Sequence, residues 1–304
     1  MQRFEVTILG AGSASPTLNR NPSSQLLNIG EKYFLIDCGE GTQVQLRKYK
    51  LSWAKIDYIF ISHLHGDHYL GLLGLLQSMH LLGRKNDLHL FCFPELKEII
   101  EIQNKYSGTV LNYQIQYHFL ENDKKKLILE TNLVTVFSFP LNHRIPCVGF
   151  LFNEKEAPRK ILKDKLIEYN VSTAEINKIR KGINATDNDG EEISFELLSE
   201  KAYCPRSYAY CSDTKYDESI IQHINKVDML YHESTFLKDM QQRAIATYHS
   251  TAEQAAQIAF KANAKKLIIG HYSARYKSIE EFLMEAKPIF ENCFLAREGD
   301  CFKV

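Results

Sequence analysis

The sequence predicts an α/β fold in which several strands end in His or Asp residues. Three observations support this prediction. The chain has 304 residues, 44% of them hydrophobic, which is enough to bury a large core. Short apolar runs bounded by turn residues alternate with segments of helical length. Several of these runs are followed at once by His or Asp, and the carboxyl ends of strands are where α/β sheets usually place their functional sites.

The predicted elements follow one another in a regular order. We expect strands at residues 4–9, 24–29, 33–36, 56–61, 88–93, 134–139, 148–152, 207–211, 227–231 and 267–270. We expect helices at residues 42–49, 69–82, 94–105 and 252–262, the third of which begins with a proline, as first turns allow. The run Lys124–Lys126 is interpreted as a turn.

Composition limits the classes of function. Lys plus Arg and Asp plus Glu both total 37, so any nucleic acid would have to be bound by local patches rather than by a global basic field. Seven cysteines without a C-x-x-C pair are typical of reduced thiols in a cytoplasmic protein. The first five residues do not begin a signal peptide, and no run of 18 apolar residues predicts a membrane span.

The loop Gly10–Pro16 resembles a dinucleotide-binding fingerprint only superficially. The third glycine is missing, and the next predicted element is a strand rather than a helix. We therefore expect no nucleotide cofactor.

The turn Asp37–Gly41 leads into the first helix, and two interpretations of Asp37 remain open: a carboxylate that orients a metal-binding histidine, or a turn and capping residue.

The densest group of metal-capable side chains is the segment His63-Leu64-His65-Gly66-Asp67-His68. On extended backbone His63 and His65 point to the same side, so they can bind one ion together. Asp67 and His68 leave in another direction and suit a second ion, with Gly66 providing the freedom to turn. Imidazole and carboxylate without thiolate favour zinc, manganese or iron in a catalytic site. The alternative is a polar loop of solvated histidines.

Further metal-capable residues follow later strands: His143, Asp213, the pair His232-Glu233, and His271. His249 precedes Ser250 and Thr251, either of which can cap the helix that runs to residue 262. The two halves of the chain share one pattern, because each is a set of strands whose ends carry His or Asp.

The segment 154–199 has a different character. Between Lys155 and Lys181 eight basic residues stand against four acidic ones, and few residues suit a core. We interpret it as an inserted arm with one or two short helices. An exposed basic arm suits phosphate backbones, although most charge runs are only solvated helix faces.

These residues resemble a known family. The pattern His63-x-His65-x-Asp67-His68, with His143, Asp213 and His271 each at a strand end, resembles the metallo-β-lactamase superfamily. Within it the chain is similar to the ribonuclease Z family over essentially its whole length. The motifs that match are Pro16-x-x-x-Arg20-Asn21, Ser212-Asp213-Thr214, His232-Glu233-Ser234-Thr235 (with Ser234 where the family has Ala), and His249-Ser250-Thr251.

The resemblance implies one αββα four-layer sandwich over residues 1–304, with 154–199 as an inserted arm. It implies a cytoplasmic, zinc-dependent endoribonuclease that removes 3′ trailers from precursor tRNA and leaves a 3′-hydroxyl. It also implies a homodimer with two Zn²⁺ per subunit, Mn²⁺ or another divalent ion being the alternative. Two departures concern the RNA: the arm lacks a Gly-Pro pair, and Leu18 stands where the family often has Lys.

The resemblance also implies roles for single residues. The first ion would be bound by His63, His65 and His143, the second by Asp67, His68 and His271, and both by Asp213. Asp67 would accept the proton of the attacking water, and His249 would be the general acid, with Glu233 raising its proton affinity. Substrate contacts would come from Arg20, Asn21, Ser250 and Thr251.

Three rival hypotheses are less consistent with the sequence. A dinuclear hydrolase of small substrates such as cyclic nucleotides, arylsulfates or lactones would keep the metals, but His249-Ser250-Thr251 and the basic arm argue against it. A redox diiron protein is disfavoured because no flavin-binding segment follows. A non-catalytic RNA-binding module would need a missing ligand, and every ligand position is filled.

Overall fold

The computed structural model describes residues 2–304. Contacts within the chain divide these residues into two compact units. The larger unit comprises Gln2–Asn153 and Ser207–Val304, and the smaller comprises Glu154–Arg206. Within the described residues, no helix combines the length and the apolar character that crossing a membrane requires.

The strands, in chain order, are β1 (Phe4–Gly10), β2 (Ser24–Ile29), β3 (Lys32–Ile36), β4 (Ile56–Phe60), β5 (Leu88–Cys92), β6 (Ile115–Phe119), β7 (Lys126–Glu130), β8 (Val134–Pro140), β9 (Val148–Glu154), β10 (Lys160–Ile161), β11 (Ala185–Thr186), β12 (Glu192–Ile193), β13 (Ser199–Glu200), β14 (Ser207–Cys211), β15 (Met229–Glu233), β16 (Leu267–Gly270), β17 (Cys293–Leu295) and β18 (Cys301–Lys303). The α-helices are α1 (Thr42–Lys48), α2 (Gly66–Leu81), α3 (Pro94–Ser107), α4 (Lys163–Glu168), α5 (Ile176–Arg180), α6 (Phe195–Leu198), α7 (Ile221–Ile224), α8 (Gln241–Thr247), α9 (Ala252–Lys261) and α10 (Glu280–Ala286). Short 3-10 helices cover Trp53–Lys55, Thr173–Glu175, Glu218–Ile220 and Lys238–Met240.

The larger unit contains two seven-stranded sheets. The first has the order β18-β1-β2-β3-β4-β5-β6, and the second has the order β17-β16-β15-β14-β9-β8-β7. Strands β3 to β6 of the first sheet are parallel, as are β14 to β17 of the second. The carboxyl ends of β14, β15 and β16 therefore lie along one edge of the second sheet. The predicted site residues of this half of the chain lie at or just after these ends.

The two sheets face each other across an aromatic core. The ring of Phe60 packs edge-on against Phe150 and Phe152, with centroids 5.4 Å apart in both pairs. Alternate strand residues point to the opposite face of the first sheet, where Leu35 and Ile59 are buried against α1, α2 and α3. Helix α9 packs on the second sheet through a row of buried alanines. Helices, sheet, sheet and helices thus form a four-layer αββα sandwich, as predicted.

The smaller unit has a core of its own. Its completely or almost completely buried side chains are Leu166, Val171, Ile179, Ala185 and Leu198. Two pairs of very short strands, β10 with β13 and β11 with β12, surround this core. The sequence suggested few core residues and one or two helices. The structure corrects this to three short α-helices, which are too brief to leave a visible periodicity.

The predicted strands are confirmed, with ends that differ by a few residues. Three further predictions were wrong. Helix α2 begins at Gly66 rather than Tyr69, so Asp67 and His68 lie in its first turn. Gly66 is not among the residues with positive φ, so its special freedom is not used. Lys126 opens strand β7 instead of a turn, and the preceding strand β6 had been missed.

Candidate metal centre and active site

The predicted ligands lie at the ends of four strands. His63 and His65 follow β4, and the extended backbone of His65 (ψ 144°) leads directly into α2. His143 lies between β8 and β9, Asp213 follows β14 and His271 follows β16. All but His65 and His143 are buried, and those two are half-buried. The sheets therefore bring residues distant in sequence to one place.

The first group consists of His63, His65, His143 and Asp213, whose ligand atoms all lie within 4.8 Å of one another. His65 Nδ1 is 3.1 Å from His63 Nε2 and also 3.1 Å from His143 Nε2. Ligands about 2.1 Å from a tetrahedral zinc ion are separated by roughly 3.4 Å. The spacing of these nitrogens therefore suits a single ion.

The second group consists of Asp67, His68 and His271. His271 Nε2 lies 3.3 Å from Asp67 Oδ2 and 3.3 Å from His68 Nε2. His68 Nε2 lies 3.5 Å from Asp67 Oδ2. The side chains thus gather into two groups, and two residues adjacent in sequence, Asp67 and His68, lie in the same one.

Asp213 faces both groups, one oxygen to each. Its Oδ2 lies 3.5 Å from His63 Nε2, while its Oδ1 lies 3.3 Å from His68 Nε2 and 3.2 Å from His271 Nε2. Oδ1 is buried and accepts no hydrogen bond within residues 2–304. A buried carboxylate oxygen that faces two imidazole nitrogens is stabilised by a cation between them. This arrangement fits divalent metal ions.

In four of the histidines Nε2 faces the ligand groups, and the other ring nitrogen, Nδ1, contacts a neighbouring group. Such contacts fix the orientation of each ring and leave the other nitrogen to bind metal. The pairs are His63 Nδ1 with Ser62 Oγ (3.0 Å), His68 Nδ1 with Asp37 Oδ2 (2.8 Å), His143 Nδ1 with the carbonyl oxygen of Tyr248 (3.0 Å), and His271 Nδ1 with Thr235 Oγ1 (2.9 Å).

Asp37 is the centre of a buried hydrogen-bond network behind the second group. Its carboxylate accepts hydrogen bonds from Ser62 N (2.8 Å), Ser62 Oγ (2.9 Å) and Tyr210 Oη (2.7 Å), besides contacting His68. Of the two interpretations left open by the sequence, this geometry supports the carboxylate that orients a histidine. Tyr210 in turn holds Asp37 in place.

The histidines of the two groups differ in the direction in which their pKa is shifted. Burial lowers the pKa of His63 to about 4, and burial likewise lowers the pKa of His65 to about 4, so both rings are neutral near pH 7. Burial also opposes a charge on His68, but Asp213, Asp67 and Asp37 raise its pKa well above the usual value. Three carboxylates around one ring concentrate negative charge where a cation is expected to bind.

Glu233 and His249 form an ion pair beside the two ligand groups. Glu233 Oε1 lies 2.9 Å from His249 Nδ1, and Glu233 Oε2 accepts hydrogen bonds from Thr235 N and Oγ1, both at 2.8 Å. Burial lowers the pKa of His249, but the charges of Glu233 and Asp213 outweigh burial and raise this pKa to about 9. His249 is therefore protonated near neutral pH.

The position of His249 suits a proton donor better than a ligand. It can be grouped with Asp213 and His271 as a third set of metal-capable atoms. However, its Nδ1 is 4.0 Å from Asp213 Oδ2 and only 2.9 Å from Glu233, with which it pairs. Its ring centroid lies 5.4 Å from those of His143 and His271, so the ring borders both groups.

The four predicted substrate contacts lie outside the two ligand groups. The Arg20 guanidinium donates to the carbonyl of Tyr276 (2.5 Å), and Asn21 is bonded to Glu298. Ser250 is buried and donates to the carbonyl of Thr214, while Thr251 caps α9 with a full capping box. These side chains have intramolecular partners, and their contact with substrate stays a prediction.

Sequence reasoning missed several supporting residues. Ser62 contacts both Asp37 and His63, and Thr235 links Glu233 with His271. Ser62 stands next to His63, and Thr235 is the last residue of a matching motif to which no role was given; these positions were the available signal. The backbone N–H of Ala14, 2.7 Å from Asp67 Oδ2, left no signal in the sequence because no side chain is involved.

The αββα sandwich and the two His/Asp groups joined by Asp213 define a metallo-β-lactamase-fold protein. The metallo-β-lactamase-fold protein YhfI of Bacillus subtilis matches this fold with a TM-score of 0.69 and 20% identity over 99% of this chain and 100% of that one. The chain belongs to the ribonuclease Z family, because relatives with that name are up to 51% identical to it over nearly the whole of both chains.

Sequence relatives span the whole chain. Ribonuclease Z of Cytophaga hutchinsonii is 51% identical over 302 residues, covering 99% of this chain and 96% of that protein. Ribonuclease Z of Bacteroides thetaiotaomicron is 45% identical over 304 residues, covering 100% and 96%. The structure of human tRNase Z, short form, matches with a TM-score of 0.73 and 25% identity over 98% of each chain. A family model described as anti-Pycsar protein Apyc1 matches residues 4–155.

Proposed function

We propose that this protein is an endoribonuclease that removes 3′ trailers from precursor tRNA and leaves a 3′-hydroxyl. The proposal rests on two features that occur together in this chain. Its relatives named ribonuclease Z match it from end to end, and two ligand groups share one buried carboxylate, Asp213. A dinuclear centre of this kind suits in-line cleavage of a phosphodiester.

The proposal includes two divalent cations per chain, one in each group, with zinc as the first choice and manganese as the alternative. Six imidazole or carboxylate ligands and a shared carboxylate, without thiolate, support this choice. When bound, the two cations lower the pKa of coordinated water and offset the negative charge that develops on the phosphate.

Asp67 is the proposed proton acceptor for the attacking water. Burial disfavours its charge, but His68 and His271 hold the pKa of its carboxyl well below the usual range. Asp67 is therefore ionised at neutral pH. Its Oδ2 is fixed by Ala14 N and faces His271, so the carboxylate has a defined direction.

His249 is the proposed general acid. As the water oxygen bonds to phosphorus, the bond from phosphorus to the ribose 3′-oxygen breaks, and that oxygen takes a proton from the His249 ring. Glu233 stabilises the charged ring before transfer. The products are a tRNA with a 3′-hydroxyl and a trailer with a 5′-phosphate.

Residues 154–199, within a single functional domain of residues 1–304, are proposed to bind the body of the tRNA. A cavity of about 460 Å³ in the smaller unit is lined by four cations, Arg159, Arg180, Lys181 and Lys201, and by the rings of Phe195 and Tyr203. Cations beside aromatic rings suit a phosphate and a base.

We also propose a homodimer in the cytoplasm. Helices α1 and α2 expose Val44 (64%), Leu81 (79%) and Leu82 (65%) around a cleft of about 410 Å³ that Trp53 also lines. Apolar side chains gathered in this way favour a protein interface over solvent. The seven free cysteines support the proposed compartment.

The test is to incubate metal-loaded protein with a precursor tRNA that carries a 3′ trailer and to map the new ends. We expect one cut that leaves a 3′-hydroxyl, and Asp67→Ala should abolish it while tRNA binding persists. The rival hypothesis, a hydrolase of small substrates, predicts turnover of bis-p-nitrophenyl phosphate without cleavage of tRNA. That outcome would overturn the proposal.

A further inference from the structure

The loop between β1 and β2, residues 11–22, reaches the active site through its backbone. Ala14 N donates to Asp67 Oδ2 at 2.7 Å, across 53 residues of sequence. The same oxygen lies 3.3 Å from His271 Nε2. One main-chain amide therefore contacts the carboxylate to which the mechanism gives both metal binding and proton transfer.

The tip of this loop cannot be held by packing. Residues 14–19 are exposed, and Leu18 is fully so. Ala14 has φ 63°, in the left-handed region that a residue with a Cβ rarely adopts. An exposed tip with an unfavourable backbone conformation keeps its shape only if other contacts determine it.

Those contacts lie at the base of the loop. Gly12 N donates to the carbonyl of Asn21 (2.9 Å), and Ser13 N donates to the carbonyl of Tyr272 (3.0 Å). Arg20 donates to the carbonyl of Tyr276 (2.5 Å). These bonds close the loop on itself and fasten it to the segment that follows His271.

Glu298 is the only acidic side chain, among the described residues, that these contacts attach to the base of the loop. Its carboxylate accepts hydrogen bonds from Asn21 N and from Asn21 Nδ2 (3.1 Å), and it also accepts one from Gln45 Nε2 in α1. Gln45 is buried and donates as well to the carbonyl of Leu9 (2.8 Å), at the end of β1. Hydrogen bonds to a carboxylate are about twice as strong as neutral ones.

The fit around Asn21 is close. Gly41 precedes α1 with φ 82°, and a Cβ at this position would collide with Asn21 Oδ1. Asn21 is thus enclosed by Glu298 on one side and Gly41 on the other. Contacts within the protein thus define its position.

We propose that Glu298 is a positioning residue: it fixes the loop 11–22 so that the Ala14 amide holds the Asp67 carboxylate in its working direction. This inference rests on the proposed function, because it assumes that Asp67 acts in catalysis. It gives Arg20 and Asn21 an anchoring role, in place of the direct substrate contact that their motif suggested.

The principal variant is Glu298→Gln. Glutamine keeps the size of the side chain but replaces one accepting oxygen by an N–H donor that faces Asn21 N. The loop then loses a charge-assisted anchor. Losing a direct partner of a metal ligand costs about 10- to 100-fold, and Glu298 acts on Asp67 only through the loop, so the expected result is a fall in kcat of up to that size. The KM for precursor tRNA should be nearly unchanged.

The matched control is Glu280→Gln. Glu280 is exposed, and within residues 2–304 its side chain hydrogen-bonds to Arg297 and Ser278 and not to the loop. The Glu280→Gln variant should leave kcat and KM unchanged.

Arg20→Met removes the other anchor of the loop. In the double variant with Glu298→Gln, the fall in kcat should be smaller than the product of the two single falls, because both side chains act through one loop.

The hydrogen bond of the Ala14 amide can also be observed directly by NMR, in a measurement that does not depend on activity. In metal-free protein labelled with ¹⁵N-alanine, the Ala14 amide proton should resonate downfield, as expected for a bond to a carboxylate. It should shift upfield in Glu298→Gln and in Asp67→Asn but not in Glu280→Gln. Faster hydrogen exchange of this amide in Glu298→Gln would accompany the shift.

The outcomes separate the two claims. If the wild type does not cleave precursor tRNA, the proposed function fails, and the amide signal still reports whether Glu298 orders the loop. If the wild type is active and Asp67→Ala is not, a Glu298→Gln variant with unchanged kcat and an unmoved Ala14 signal would overturn the inference. A rise in KM for tRNA alone would also overturn it, since the loop would then act by contacting substrate.

Discussion

His249 Nδ1 lies 2.9 Å from Glu233 Oε1, and this contact favours a positive charge on the His249 ring beside the two ligand groups. Burial by itself would lower the pKa of His249, whereas Glu233 and Asp213 raise it to about 9. A general acid must carry its proton when the substrate arrives. His249 is the proposed general acid, so we expect this contact to set the alkaline limit of activity.

Glu233→Gln should move that limit to lower pH. The protonated form of His249 is present below its pKa and is lost as pH rises through it. Removing the charge of Glu233 lowers this pKa, so the alkaline limb of the pH profile of kcat/KM for precursor tRNA should fall earlier. Glu218→Gln, at an exposed carboxylate paired with Lys261, should leave the profile unchanged. An alkaline limb that stays in place in Glu233→Gln would argue against His249 as the acid.

Asp37→Asn should weaken metal binding without unfolding the protein. Asn is the appropriate replacement because Asp37 has φ 54°, a conformation that Asn tolerates. Loss of the carboxylate leaves His68 Nδ1 without its anionic partner, and a change of about 10- to 100-fold in metal affinity is expected. Competition with a chelator measures it. Tyr210→Phe, which removes one hydrogen bond to Asp37, should have a smaller effect in the same direction, and equal affinity in Asp37→Asn and wild type would refute the role.

Thr251→Ala tests whether Thr251 supports the fold or the substrate. Its side chain accepts a hydrogen bond from Gln254 N and caps α9. The variant should lower the free energy of unfolding by about 1 kcal/mol, while KM for precursor tRNA stays constant. Denaturant unfolding and steady-state kinetics give both quantities. Unchanged stability with a raised KM would instead indicate a substrate contact.

A double variant, Leu81→Glu with Leu82→Glu, tests the proposed dimer. Both side chains are strongly exposed at the end of α2, and two carboxylates there would repel their copies across a twofold interface. Analytical ultracentrifugation should show dimers for the wild type and monomers for the variant. Ile102→Glu, at an exposed position of α3, is the control and should remain dimeric. A monomeric wild type would contradict the proposal.

The arm is tested by changing cations that line its cavity. Arg180→Ala with Lys181→Ala should raise KM for precursor tRNA and spare turnover of bis-p-nitrophenyl phosphate, because the small diester has no tRNA body. Lys163→Ala removes an exposed cation that does not line the cavity and is the matched control. Unchanged KM for tRNA in the double variant would exclude this cavity as an RNA-binding surface.

Local patterns in the sequence were sufficient to predict the centre of the fold. Strand β16 is buried throughout, so its apolar residues are continuous and recognisable. The segment His63–His68 carries four candidate ligands in six residues, which made their grouping predictable from backbone geometry alone. Strand β7 lies at the edge of its sheet and has no fully buried residue, so it carried little apolar signal.

Other features could not be predicted because they depend on tertiary contacts. Helix α2 starts at Gly66 without a capping side chain, so the sequence contained no start signal. The bond from Ala14 N to Asp67 involves a backbone atom, and Glu298 meets Asn21 across 277 residues. Arg20 and Asn21 belong to a recognisable motif, but a motif does not show which partner each side chain contacts.

The central claim is that two cations share Asp213, and the number of tightly held ions tests it most directly. Elemental analysis and native mass spectrometry of fully active protein should find two ions per chain. Asp213→Asn should hold fewer and lose cleavage of precursor tRNA. Full activity with fewer than two bound ions per chain would contradict the account.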